Sequence, residues 1–146
     1  MDRLACDDIA DQIANECVMT RWRMANRVLS AIYDEELRPF KLKSSQLSLL
    51  VAVTKAGPVR RIDLGKYLSL DPSTLTRNLQ VMLKHGWVEE VPDEIDQRGS
   101  PLKVTPKGRK LLQRIEPAWR HAQARAKKML GADAVNLVFS IKRVIA

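Results

Sequence analysis

The chain has 146 residues, 45% of them hydrophobic and 29% charged, and a net charge of +8. That length supports one domain with a core of its own, and the composition is that of an ordinary soluble globular protein. No apolar run approaches the roughly 18 residues of a membrane helix, and the acidic start MDRLACDDIADQ lacks the apolar core of a secretory signal, so a cytoplasmic protein without membrane contact is expected.

Charge is unevenly placed. Residues 1–16 set Arg3 against Asp2, Asp7, Asp8, Asp11 and Glu16, a net −4, which leaves +12 on the rest of the chain. A basic surplus favours a polyanionic partner through steering and counterion release.

In chain order, residues 8–37 read as one long helix. Val18, Trp22, Ala25, Leu29 and Ile32 step by four and three, a heptad seam that wants a partner helix. Pro39 stops it. Ser44 or Ser45 can cap a second helix running to about Ala56, with Leu47, Leu50, Val51 and Thr54 on its buried face. Gly57-Pro58 ends that helix. Val59 to Arg61 suits a minor strand, and Asp63 can cap a short helix from Leu64 to about Leu68.

Asp71 then caps the next helix, with Pro72 at its first position, where a missing N–H costs nothing. Leu75, Leu79, Met82 and Leu83 fall on one apolar face, and Gly86 provides the stop. Trp87 to Val91 and Leu102 to Thr105 read as two short strands around the polar turn PDEIDQRGSP. Thr105-Pro106 opens another helix, and apolar residues recur at helical spacing to Leu130. Pro117 must kink or break that run. After Gly131 a last helix covers Ala134 to about Val144, with Val135, Val138 and Ile141 facing inward.

The order from Leu64 to Lys110 is helix, turn, helix, two strands and helix. It is the layout of a winged helix-turn-helix, which lays one helix in a DNA groove. The fold class is therefore mainly α with a small β-wing. Residues 1–43 form an N-terminal dimerisation helix, 44–110 the winged helix-turn-helix, and 111–146 C-terminal dimerisation helices, in one compact unit.

With the apolar face of the helix Pro72–His85 set aside, Ser73, Thr76, Arg77 and Gln80 point the other way. Hydroxyls suit phosphates or bases, Arg suits guanine and Gln adenine. At the tip of the strand pair, Arg98 stands beside Gly99 with Asp96 two residues earlier. An arginine there can enter a narrow minor groove, and Asp96 can orient it or cap the turn.

These residues carry a resemblance. LSLDPSTLTRNL, then LKHGWV and DQRGSPLKVTPKG, are similar to the MarR family of bacterial transcriptional regulators, and the helix order outside them fits as well. The resemblance implies a homodimer with interlocking terminal helices and one winged helix-turn-helix per subunit. It places Ser73, Thr74, Thr76 and Arg77 on the recognition helix, and Asp96 and Arg98 on the wing. It implies binding of pseudo-palindromic double-stranded promoter DNA, commonly as a repressor, with release by a small, often aromatic or phenolic effector or by an oxidant. Met19, Trp22 and Met24 are candidate effector-pocket residues, although such a stripe is more often core.

Some relatives sense peroxide through a cysteine in the N-terminal helix. Counting back from QLSLL, that position falls near Arg21, one turn past Cys17, and Gln46 and Glu35 stand near the places of the supporting tyrosines. Cys17 is therefore expected to be a small packed helix residue. His85 is expected to complement a helix end, and His121 to lie at the surface. Cys6, Cys17 and the two histidines make no zinc-ligand spacing. No nucleophile–base pair or phosphate-binding glycine loop points to an enzyme, and no cofactor is implied. The alternative class is a winged helix used for protein–protein contact, which the Arg-bearing polar face disfavours.

Overall fold

The structure, a computed structural model, describes residues 2–92 and 99–141, with side chains from Cys6 onward. The elements are α1 (Asp2–Glu16), α2 (Val18–Leu37), α3 (Ser44–Ala56), α4 (Arg61–Leu68), α5 (Pro72–Lys84), β1 (Val88–Glu90), β2 (Leu102–Val104), α6 (Pro106–Arg114), α7 (Glu116–Leu130) and α8 (Ala132–Ser140). The architecture is mainly helical with a two-stranded antiparallel wing.

The expected single N-terminal helix is two. Cys17 leaves helical geometry with ψ at 107° and separates α1 from α2, although Cys17 N–H still donates to Ile13 O at 3.0 Å. Helical periodicity continues across the junction in sequence, so one non-helical ψ leaves no trace in the apolar spacing. Cys17 is correspondingly half-exposed at a helix break and not packed within a helix.

Further along, α2 ends at Leu37, and Arg38–Phe40 make one 3₁₀ turn around Pro39. The Asp34 carboxylate accepts the Ser44 N–H at 2.6 Å, tying the end of α2 to the start of α3. Lys43, not Ser44 or Ser45, occupies the N-cap of α3. Its own N–H is satisfied by Gln46 Oε1 at 3.0 Å, which does from inside the helix part of what a capping hydroxyl does from outside. Helix α4 likewise starts earlier than expected, at Arg61, so Asp63 lies in its first turn and favours the helix dipole without capping it. Val59 contributes a single bridge to Leu102 rather than a strand through Arg61.

The core gathers Leu37, Leu42, Leu49, Leu50, Val53, Leu64, Leu79, Met82, Trp87, Leu102 and Ile115, all buried. Burying each such aliphatic side chain contributes about 1.5–3 kcal/mol. The core thus sits under α3 and α5 and fixes the helix-turn-helix on the wing and α6. Past that core, α6 ends at Arg114 and α7 begins at Glu116, with Pro117 in its first turn as its ring requires.

Helix α7 lies along α2. Ala122 and Ala126 are buried there, and their small size allows close approach. Tyr33 donates its phenol proton to Gln123 Oε1. Arg125 spans Glu36 at 2.6 Å and Glu35 at 2.9 Å. His121, expected as a plain surface residue, pairs through Nδ1 with Glu36 at 2.8 Å. The lower half of the α2 seam therefore finds α7 of its own chain, while Val18 (80% exposed) and Trp22 (50%) at the upper end stay open to solvent among the described residues. Helix α8 starts at Ala132, two residues before the expected Ala134, and Ile141 is exposed rather than inward-facing. The proposed continuation to Val144 lies outside the described residues.

Candidate nucleic-acid interface

The turn between α4 and α5 is set by local chemistry. Ser69 takes left-handed backbone at φ 53° and closes α4. Leu70 N–H donates to Gly65 O at 2.9 Å, which reverses the chain. Asp71 then caps α5: its Oδ1 accepts the Thr74 N–H at 2.9 Å and the Ser73 hydroxyl at 2.5 Å. These donors, Ser73 first and Thr74 next, hold the Asp71 carboxyl far below the usual carboxylate range. The cap fixes where α5 starts and therefore which side chains its outer face carries.

That face is as the spacing predicts. Leu75, Leu79 and Met82 are buried, and Ser73, Thr76, Arg77 and Gln80 are exposed. Thr74 is half-buried. Arg77 has no hydrogen bond or ion pair among the described residues, so its guanidinium is available. Asn78 donates to Thr74 O at 3.0 Å and accepts from Ser45 Oγ at 3.1 Å, which pins α5 to the start of α3.

The wing legs are regular. Val88 pairs with Val104, Glu89 with Lys103 and Glu90 with Leu102. Val91 N–H donates to Pro101 O at 2.9 Å, carrying the ladder one step toward the tip. Lys103 Nζ lies 3.6 Å from Glu89 across the strands, and Arg61 at the head of α4 pairs with Glu90. Asp96 and Arg98 lie outside the described residues. At the base of the wing His85 stacks on Trp87, ring centroids 4.4 Å apart and planes within 9°; its place is against the indole rather than only at the helix end.

Two groups on this side of the molecule were not singled out from the sequence. Arg61 and Lys66 share a depression of about 310 Å³ with Thr76 between α4 and α5. Their signal was present as two basic residues in one short helix, but only the fold brings them beside α5. Away from this face, a cavity of about 650 Å³ lies between α2, α3, α4, α6 and α7, lined in part by Tyr33, Ser48, Lys55, Tyr67 and Trp119. Burial raises the Tyr33 phenol above its ordinary pKa. Met19, Trp22 and Met24 do not line it: all three are exposed on α2, and Met24 borders a separate depression with Arg23 and Arg27. No cluster of metal-ligating side chains occurs among the described residues, and no helix among them is long and apolar enough to cross a membrane.

Comparison with known proteins places these features. The family profile described as the MarR family matches residues 42–100, from the start of α3 to the wing. The multiple antibiotic resistance protein MarR of Salmonella typhimurium is 27% identical over 124 residues, covering 84% of this chain and 86% of that one. Among solved structures, a mutant Escherichia coli MarR complexed with operator DNA superposes with a TM-score of 0.77 at 26% identity, covering 88% of this chain and 92% of that one. The Mycobacterium tuberculosis transcriptional regulator MOSR in complex with DNA gives 0.73 at 32% identity, covering 86% and 92%.

Proposed function

The chain belongs to the MarR family of winged-helix transcriptional regulators, and from that membership we propose that it binds pseudo-palindromic promoter DNA as a homodimer and acts as a repressor released by a small effector. The observation that carries the proposal is the outer face of α5. It is fixed in register by the Asp71 cap and presents Ser73, Thr76, Arg77 and Gln80 outward, with Arg77 unpaired among the described residues. Two similar structures, of Escherichia coli MarR and of MOSR, were solved with DNA.

In this reading α5 enters the major groove. Arg77 and Gln80 read base edges, while Ser73, Thr74 and Thr76 bind phosphates at the helix start. Arg61 and Lys66 neutralise phosphates beside them. Arg98 reaches a minor groove from the wing, with Asp96 steadying it. The exposed Val18 and Trp22, together with Leu137, Phe139 and Ile141 near the other terminus, form the dimer contact.

The 650 Å³ cavity is of the size that takes small ligands. It lies where helices of the DNA-reading unit meet α2 and α7, so a bound phenolic or other aromatic molecule can alter the spacing of the two α5 helices. Met19, Trp22 and Met24 serve as a second effector-contacting face, completed by the partner subunit. The protein acts in the cytoplasm.

Sedimentation equilibrium combined with footprinting tests the proposal. A dimer of twice 16.6 kDa should protect two half-sites about 10 bp apart centre to centre, with affinity falling steeply as salt rises. A folded monomer, or protein that shows no preference among duplexes, would contradict it.

A further inference from the structure

The apolar face of α5 decides which side of the helix turns inward, but it does not fix the roll about the helix axis. Leu75, Leu79 and Met82 are buried, and burial of apolar surface is non-directional. A roll of about 10° carries a side-chain end roughly 1 Å, at the roughly 5–6 Å radius of a helix with its side chains. A shift of that size takes a base contact out of the hydrogen-bonding range of about 2.7–3.2 Å.

One directional contact leaves α5 for another helix. Ser45 Oγ donates to Asn78 Oδ1 at 3.1 Å, and among the described residues this is the only side-chain hydrogen bond or ion pair between α5 and another helix. Asn78 is half-buried, next to Arg77 in sequence. Its amide also donates to Thr74 O at 3.0 Å, so the carboxamide is held at both ends. Ser45 stands in the first turn of α3. Its neighbour Ser44 gives its N–H to the Asp34 carboxylate on α2 at 2.6 Å, and α2 is fixed to α7 by Arg125 on Glu35 and Glu36. A line of polar contacts thus runs from α2 through the start of α3 to α5.

We propose that Ser45, Asn78 and Asp34 are positioning residues for DNA reading. The Ser45–Asn78 bond sets the roll of α5, and Asp34 anchors that strut to α2, so Arg77 and Gln80 are aimed before DNA arrives. The proposal rests on the reading of α5 as the groove helix. Without the strut the DNA itself must order the roll, and the free energy of that ordering is subtracted from specific affinity. The loss is no larger than the strength of one hydrogen bond. It falls on base reading and not on phosphate attraction, because neither Ser45 nor Asn78 carries a charge.

The test is a double-mutant cycle in the full chain, read by fluorescence anisotropy on two duplexes: the one that the parent enriches most from a random-sequence library, and a scrambled version of it. Ser45→Ala and Asn78→Ala should each weaken binding of the selected duplex about fivefold, the size of one ordinary hydrogen bond. The double variant should also lose about fivefold, not the roughly 25-fold of two independent contacts. Binding of the scrambled duplex, and its dependence on salt, should match the parent. Ser45→Thr keeps the hydroxyl and should bind the selected duplex like the parent. Asp34→Ala should lower the ratio of selected to scrambled affinity, and Asp34→Asn, which keeps an accepting oxygen for the Ser44 N–H, should restore it. A merely weakened fold would lower binding of both duplexes alike, and side chains that touched DNA themselves would give losses that multiply. Either result, or single variants that bind the selected duplex as tightly as the parent, overturns the inference and leaves α5 as the groove helix. A parent that enriches no sequence removes the DNA-reading proposal itself.

Discussion

Gly108 sits so close to the Trp87 carbonyl that a Cβ there would run into the backbone oxygen, and it would also lie 3.0 Å from Val104 Cγ2. The contact exists because Thr105 caps α6 while its hydroxyl donates to Gly86 O at 2.6 Å, drawing the helix start onto β1. Gly108→Ala is expected to destabilise the fold by about 1–3 kcal/mol, as overpacking against backbone does. Gly65→Ala, whose Cβ would meet only ordinary contacts near 3.4 Å, should be neutral or slightly stabilising, since alanine favours a helix by roughly 0.5–1 kcal/mol. Urea unfolding of both variants checks the contrast, and equal stability would show that α6 can shift off Trp87.

Acid should loosen the molecule through two carboxylates. Asp71 is lowered by Ser73 and Thr74, and Glu36 by hydrogen bonds from His121 and then Arg125. A carboxyl whose folded pKa lies below its unfolded value stabilises the fold above the unfolded pKa, about 4 for either residue. That contribution is lost as pH falls through the folded value. The thermal midpoint should therefore hold near pH 6 and drop progressively below pH 4. Asp71→Asn and Glu36→Gln should each lower the midpoint at pH 6 and flatten its decline toward acid. A decline as steep in the double variant as in the parent would place the acid sensitivity elsewhere.

What the sequence revealed is what local chemistry encodes. Asp71-Pro72, the Leu75–Leu79–Met82 face, Gly86 and Thr105-Pro106 each specify one cap, face or stop, and each stands where spacing placed it. The start of α3 was misread because Gln46 reaches back from inside the helix, so no capping hydroxyl is required. The break at Cys17 was missed because one backbone angle leaves the apolar period unchanged. The cavity by Tyr33 and Trp119 draws residues from five helices, and nothing local marks them as neighbours. The recognition face was legible because it is what remains once the buried face is assigned.

The two arginines proposed to read DNA should fail differently. Arg77→Ala should cost on the order of 1–3 kcal/mol of specific binding and relax preference at one base position. Arg98→Ala should weaken binding most where the flanks are A·T-rich, because a narrow minor groove is what a wing arginine senses. Fluorescence anisotropy against a panel of single-base operator variants separates the two patterns. Parental binding by both variants would move the contact away from α5 and the wing.

A ligand in the large cavity should be visible in tryptophan emission. Trp119 lines that cavity, while Trp87 is buried elsewhere and Trp22 is exposed on α2. Titration with small hydroxybenzoates should quench part of the emission, and Trp119→Phe should abolish that part. Lys55, on the same wall, should favour carboxylate-bearing ligands. Lys55→Ala should cost about tenfold in affinity for an acid and little for its amide, in line with the roughly 1.5–3 kcal/mol of hydrogen bonds to charged groups. Quenching that survives in Trp119→Phe would relocate the effector to the Met19, Trp22 and Met24 face.

Cys17 should be reactive yet dispensable for DNA release. The Thr20 hydroxyl and N–H beside it, with Arg23 further along, lower its thiol below the ordinary cysteine value, and a thiolate alkylates faster than a thiol. Cys17 should therefore react with iodoacetamide faster than Cys6, with a pH midpoint below that of an ordinary cysteine thiol. Reactivity alone does not make a sensor, because oxidation must also be coupled to the spacing of the DNA-reading helices. Cys17 lies at the α1–α2 break, toward the proposed partner contact and away from the cavity by Tyr33. The double variant Cys6→Ser, Cys17→Ser should bind operator DNA and respond to a small-molecule inducer like the parent in a mobility-shift titration. Peroxide-driven release in the parent that disappears in this variant would reverse the assignment and make Cys17 the sensing thiol.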